Sequence, residues 1–239
     1  MPSTVVHIRK ILTILLVVAA SERLPATEQR AQQALGRAVY LSELYNWTAA
    51  AADYAEAEKL FTAAGDQRNA LYARLGRIRA NVEADQKFLP RLSLELEAEL
   101  DSNPLLQHDK DLRMFCLIVK GDIDTEVNTA AMKEDWLEVE KLARELGNTK
   151  WQYRALAQLG VAAFYNADLE TARTNAGTAL ALATKHRDAG GQIRILTILA
   201  NGFAHTKMHE QALPLVEKAL AISSQTPDAG YPYRYKRFG

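Results

Sequence analysis

Apolar side chains recur three and four positions apart along most of the chain, the spacing that gathers them on one face of a helix. Tyr54, Ala57, Leu60 and Phe61 form one such stripe; Leu89, Leu92, Leu96 and Leu100 form another. Val and Ile do not fall into alternating runs bounded by turns, so the pattern predicts helices and no sheet. Polar clusters interrupt it at Gly65-Asp66-Gln67-Arg68-Asn69, Gly147-Asn148-Thr149 and His186-Arg187-Asp188-Ala189-Gly190-Gly191. A similar stretch follows each of them: Leu71-Tyr72-Ala73-Arg74-Leu75-Gly76, Tyr153-Arg154-Ala155-Leu156-Ala157-Gln158-Leu159-Gly160 and Ile193-Arg194-Ile195-Leu196-Thr197-Ile198-Leu199-Ala200. The helices that close the units match too, Ala55-Glu56-Ala57-Glu58-Lys59-Leu60 against Leu137-Glu138-Val139-Glu140-Lys141-Leu142. A helix pair closed by a polar turn therefore recurs about every 40 residues, the mark of a stacked repeat.

Five pairs fit this pattern. The first runs over 27–64 with its turn at Tyr45-Asn46-Trp47, and the second over 69–100 with a turn at Lys87-Phe88-Leu89-Pro90. Asn103-Pro104 breaks the chain before a third unit, whose first helix is expected to be long, 110–133, with a kink at Gly121-Asp122 and a turn at Asp135-Trp136. The fourth covers 151–184 and the fifth 192–224. Such pairs bury their apolar faces only on the pairs before and after them, so 27–224 is read as one elongated all-α domain, an α-solenoid. Residues 225–239 read as a tail or an incomplete sixth unit, with Pro227-Asp228-Ala229-Gly230-Tyr231-Pro232-Tyr233 as its connector. An unfinished end would leave Leu213, Val216, Leu220 and Ile222 partly uncovered, a surface through which copies could associate.

In the last two units the residues resemble the tetratricopeptide repeat. Leu159-Gly160 is followed at the family's offsets by Ala172 and Ala179, and Leu199-Ala200 by Ala212 and Ala219, the small residues that a close helix crossing requires. Phe203 fits the aromatic position of the first helix, whereas Ala163 stands there in unit four, beside Phe164. The spacing is longer than the family's usual period and resembles the sensor arrays of bacterial transcriptional activators and signalling enzymes. The resemblance implies a right-handed superhelix whose concave face is lined by the first helix of each unit. On this chain those positions are Arg154, Ala157, Val161, Phe164 and Tyr165, then Arg194, Thr197, Asn201, Ala204 and His205. Arginine forks and aromatic anchors on one wall would suit a peptide carrying a carboxylate. The alternative is that Phe164 and Tyr165 pack between repeats and the arginines are solvated.

Charge narrows the partners. Lys plus Arg (29) balances Asp plus Glu (29), whereas nucleic-acid binding needs a basic face, so the expected partner is a protein or peptide and not DNA or RNA. Cys116, the single cysteine, sits in an apolar run and is expected to be buried and inert. Residues 11–20 form an apolar run preceded by His7, Arg9 and Lys10, which reads as a secretory signal peptide or an N-terminal membrane anchor, hence export; the alternative is a capping helix of a cytoplasmic protein.

Candidate chemistry is sparse. His205 and His209 are four apart but Thr206 stands where a metalloprotease carries glutamate and the turn falls between them, so no metal is expected. Glu95, Glu97, Glu99 and Asp101 read as a solvated helix face, and Gly190-Gly191 as a flexible connection lacking the lysine of a phosphate loop. The chain is thus expected to be a non-enzymatic interaction scaffold without a cofactor; a sensory or regulatory module, or a small-molecule or lipid carrier, are the alternatives.

Overall fold

A computed structural model describes residues 26–230, which form eleven α-helices and no strand. They are α1 (Ala26–Glu43), α2 (Trp47–Ala64), α3 (Gln67–Ala80), α4 (Leu89–Ser102), α5 (Pro104–His108), α6 (Lys110–Val127), α7 (Thr129–Glu145), α8 (Thr149–Tyr165), α9 (Leu169–Lys185), α10 (Ala189–His205) and α11 (His209–Ser224). Successive helices pack on one another except α3 and α4, and α3 also packs on α6, and α10 on α8, as first helices of neighbouring units. The apolar run 11–20 and the residues after 230 lie outside the described residues. No described helix is long and apolar enough to cross a membrane.

One turn recurs six times and produces the repetition. At Tyr45, Gly65, Gly147, Ala167, Arg187 and Lys207 the backbone enters the left-handed region, with φ between 55° and 75°. In each case the amide of that residue donates to the carbonyl three back, and the next amide to the carbonyl five before it, as in Asp168 to Ala163 and Asp188 to Ala183. This closes the old helix by satisfying its last carbonyls. The following residue opens the new one: the side chains of Asn46, Asp66, Asn148, Asp168 and Asp188 each accept from the amide three positions on. Only Met208 lacks the capping side chain in this set. A three-residue connection reverses no more chain than it must, so each helix is pressed on the one before. At Gly160 a Cβ would stand 3.0 Å from the Ala172 carbonyl oxygen, so the α8–α9 crossing leaves little room for a side chain at 160.

Units two and three depart from this regularity. After α3 the chain passes through a turn and a 3-10 segment, Gln86–Phe88, and proline opens α4, as its sequence predicts. The third unit differs from its sequence-based expectation. Its first helix ends at Val127 without a break at Gly121-Asp122, because Asn128 caps a new helix through the Ala131 amide. Asp135 and Trp136 therefore lie inside α7, and Trp136 is wholly buried. Gly190 and Gly191 are no flexible connection either; both are buried in the first turn of α10. Cys116 is buried, and burial pushes its thiol pKa up to about 12.

The core is continuous from α3 to α8, centred on Leu75, Ile118, Met132 and Trp136, with an alanine-rich layer under α1–α3 and another under α8–α10. Small side chains let those outer helices approach closely. Among the described residues, the last helix is covered on one side only: Ala212 and Ala219 face inward, while Leu213 and Leu220 are 59% and 44% exposed.

The row of helices does not run straight; its two ends touch. The Glu43 carboxylate pairs with Lys150 at the start of α8 (2.8 Å), and its carbonyl accepts from Arg154 (3.2 Å). The Gly230 amide donates to the Leu44 carbonyl (2.9 Å) and Asn46 Nδ2 donates to the Asp228 carbonyl (3.0 Å). Residues 225–230 thus run from α11 to the α1–α2 turn.

Candidate functional site

The contact between the two ends is built from ion pairs, backbone hydrogen bonds and arginine–aromatic contacts. Asp188 is the N-cap of α10 and projects toward α8, where Arg154 Nε and Nη2 reach its two carboxylate oxygens at 2.9 and 2.7 Å. Tyr153 donates its hydroxyl to the same carboxylate (3.0 Å) and the Gly191 amide does so at 3.0 Å. Burial works against the charge on Asp188, but these four donors outweigh it and hold its pKa below the ordinary carboxylate value. The pair is almost wholly shielded from solvent, with 4% and 9% of the side chains exposed.

Around this pair, arginines alternate with aromatic rings. The Arg154 guanidinium lies 5.6 Å from the rings of both Tyr45 and Trp151, and that of Arg194 6.0 Å from Tyr45. Arg79 of α3 lies over Trp47 (4.9 Å) and Trp151 (5.3 Å) while its Nε donates to Asp122 of α6 (2.7 Å). The Tyr45-Asn46-Trp47 turn is thereby held by cation–π contacts to three other units. Trp136 Nε1 and Gln158 Oε1 are buried beside it without a hydrogen-bond partner among the described residues. The gap they line has about 10 Å³ of room, the space of one water and no more.

The positions expected to line a binding wall separate into two groups. Arg154 and Arg194 meet at Tyr45 in this inner cluster, and Ala157 is buried next to them. Thr197 is buried with its hydroxyl donating to the Ile193 carbonyl. At the far ends of α8 and α10 the others gather: Phe164 stands edge-on to His205 (5.9 Å) and to Tyr165 (6.3 Å), and His205 Nδ1 lies 2.9 Å from the Asn201 carbonyl. Val161, Phe164 and Asn201 are half-buried, His205 is exposed and Tyr165 is 53% exposed. His205 ends α10 and His209 begins α11, and no cluster of metal-ligating side chains occurs among the described residues.

Sequence reasoning missed a third group. Lys120 is buried in α6 between Asp124 (2.8 Å) and Asp135 of α7 (3.2 Å), and Ser93 donates to Asp124 at 2.6 Å. Burial, and then the hydrogen bond with Asp124, raise the Asp135 pKa to about 7 against the pull of Lys120. Its signal was Lys120-Gly121-Asp122-Ile123-Asp124, three charges directly after the apolar run Met114-Phe115-Cys116-Leu117-Ile118-Val119 in the same helix. The group locks α4, α6 and α7 together and is closed to solvent. The chain matches no family model and no curated protein sequence.

Proposed function

We infer that the chain is a tetratricopeptide-like, right-handed α-solenoid that acts as a non-enzymatic interaction scaffold. The sixfold turn, the first-helix contacts between units and the close crossing at Gly160 support the solenoid. A peptide or partner helix is bound on the wall formed by the far ends of α8 and α10. One observation carries that placement: Tyr165 is 53% exposed beside Phe164 and His205, an aromatic anchor with a polar neighbour at a surface where a partner would desolvate both. The arginines expected to hold the peptide's carboxylate serve a different end, since Arg154 already holds Asp188.

A photoreactive amino acid at Tyr165 tests this wall, with Leu137 on α7, 49% exposed, as the control position. Crosslinks to another protein at 165 that vanish in Phe164→Ala/His205→Ala, and none at 137, are expected. Equal capture at the two positions would overturn the assignment.

The second reading, a sensory or regulatory module, is favoured by the closed seam between the first and last units. Contacts between turns hold it, whereas helix faces hold the rest, so it is the place where the row opens at least cost.

A further inference from the structure

Next to the seam, and apart from the Tyr165 wall, lies a cleft of about 410 Å³ lined by the end of α1, the start of α8 and the α9–α10 turn. This volume lies in the range of small-molecule sites. Its lining carries two carboxylates and two cations, but a third cation, Arg154, reaches one of the carboxylates from α8. Of the two carboxylates lining it, Glu43 is already paired with Lys150 and Asp188 with Arg154. Arg187, exposed at the rim, has no acidic partner among the described residues. The cleft therefore presents one surplus positive fork, at a turn fixed by two backbone hydrogen bonds.

The walls supply flat apolar surface beside that charge. The His186 ring lies nearly parallel to Tyr153 at 6.0 Å, with 17° between the ring planes, and lines the cleft together with Tyr40, which is 47% exposed. We propose that this cleft binds a small planar anion, an aromatic carboxylate, whose carboxylate takes the Arg187 fork and whose ring lies against His186 and Tyr40. Guanidinium matches a carboxylate in a bidentate plane, and the ring faces exclude water from one side of the pair. Because the walls come from the first, fourth and fifth units, a bound anion ties the seam shut.

Benzoate is the probe, titrated into the full chain at constant ionic strength, with acetate, inorganic phosphate and benzyl alcohol as comparison ligands and amide chemical shifts as readout. Saturable shifts of the 43–44 and 186–189 amides with benzoate are expected, weaker by about tenfold with acetate, which has the charge without the ring. Arg187→Gly removes the fork yet suits the φ of 55° at this turn, so the variant folds and should lose benzoate affinity by at least about tenfold. Benzoate shifts that do not saturate, or an Arg187→Gly affinity equal to that of the parent, would overturn the proposal. Phosphate binding as tightly as benzoate would also overturn it, as the mark of an adventitious ion only. None of these results depends on a partner at Tyr165.

Discussion

Arg154 and Asp188 are 34 residues apart in the chain, yet the guanidinium meets both carboxylate oxygens, and its Nη2 also reaches the Glu43 carbonyl at 3.2 Å. One side chain thus couples the first unit to the fourth and fifth. Removing one partner of a buried pair leaves the other charge without compensation, so Arg154→Ala should lower unfolding free energy by about 3–5 kcal/mol. Urea denaturation of Arg154→Ala, Asp188→Asn and the double variant checks this. The double variant should cost clearly less than the sum, since the second change removes the charge that the first stranded.

Stability should also depend on pH through Asp135. Its folded-state pKa is raised to about 7 from 3.8, so between these values the folded chain holds a proton that the unfolded chain has released. The unfolded state binds fewer protons in that window, and stability falls as pH rises from about 4 to about 7, by on the order of 2–4 kcal/mol. Urea midpoints at pH 5 and pH 8 should show the drop, and Asp135→Asn should flatten it. A midpoint that rises across this window in the parent would contradict the buried Lys120–Asp124–Asp135 arrangement.

Four of the six helix-ending turns place a non-glycine residue in the left-handed region, Ala167 among them at φ 59°. An L side chain pays about 1–2 kcal/mol there, offset in part because glycine gains more freedom on unfolding. Ala167→Gly should therefore raise stability by about 0.5–1 kcal/mol, and Gly147→Ala, at φ 66°, should lower it by a similar amount. Thermal unfolding of the two variants gives opposite shifts in Tm if the turns are equivalent.

These turns mark what could be read from the sequence. Gly65-Asp66 and Gly147-Asn148 announce themselves because glycine and an Asx residue each favour their role, and the Arg187 turn by the polarity of 186–191, but Ala167 and Lys207 carry no signal of their own, since any residue can occupy the position at modest cost. The helices themselves were legible from spacing. The end of α6 was not, because the Asn128 cap competes with a run of residues that suits a helix throughout. The resemblance implied one wall for Arg154 and Arg194, whereas their partners, Asp188 and Tyr45, depend on how far the row of helices curls, a property summed over every unit and written in no single segment.

The seam has no room for a side chain at Gly190, where an added Cβ would collide with the Glu43 carbonyl and crowd Leu44 Cα. Both obstacles are backbone, so neither can swing away as a side chain end would. Gly190→Ala must therefore push α1 from α10, lengthening the Arg154–Glu43 and Lys150–Glu43 contacts and withdrawing Tyr45 from Arg154 and Arg194. The helices themselves should persist, because alanine is the better helix former. Expected are unchanged far-ultraviolet circular dichroism, a loss of about 1–3 kcal/mol, and red-shifted tryptophan emission, since Trp47 and Trp151 both border the cluster that opens. Added fluorescence labels at Tyr40 and Lys185 would report a longer distance than in the parent chain; an unchanged distance with parent-like emission would mean that the two ends do not meet at Gly190.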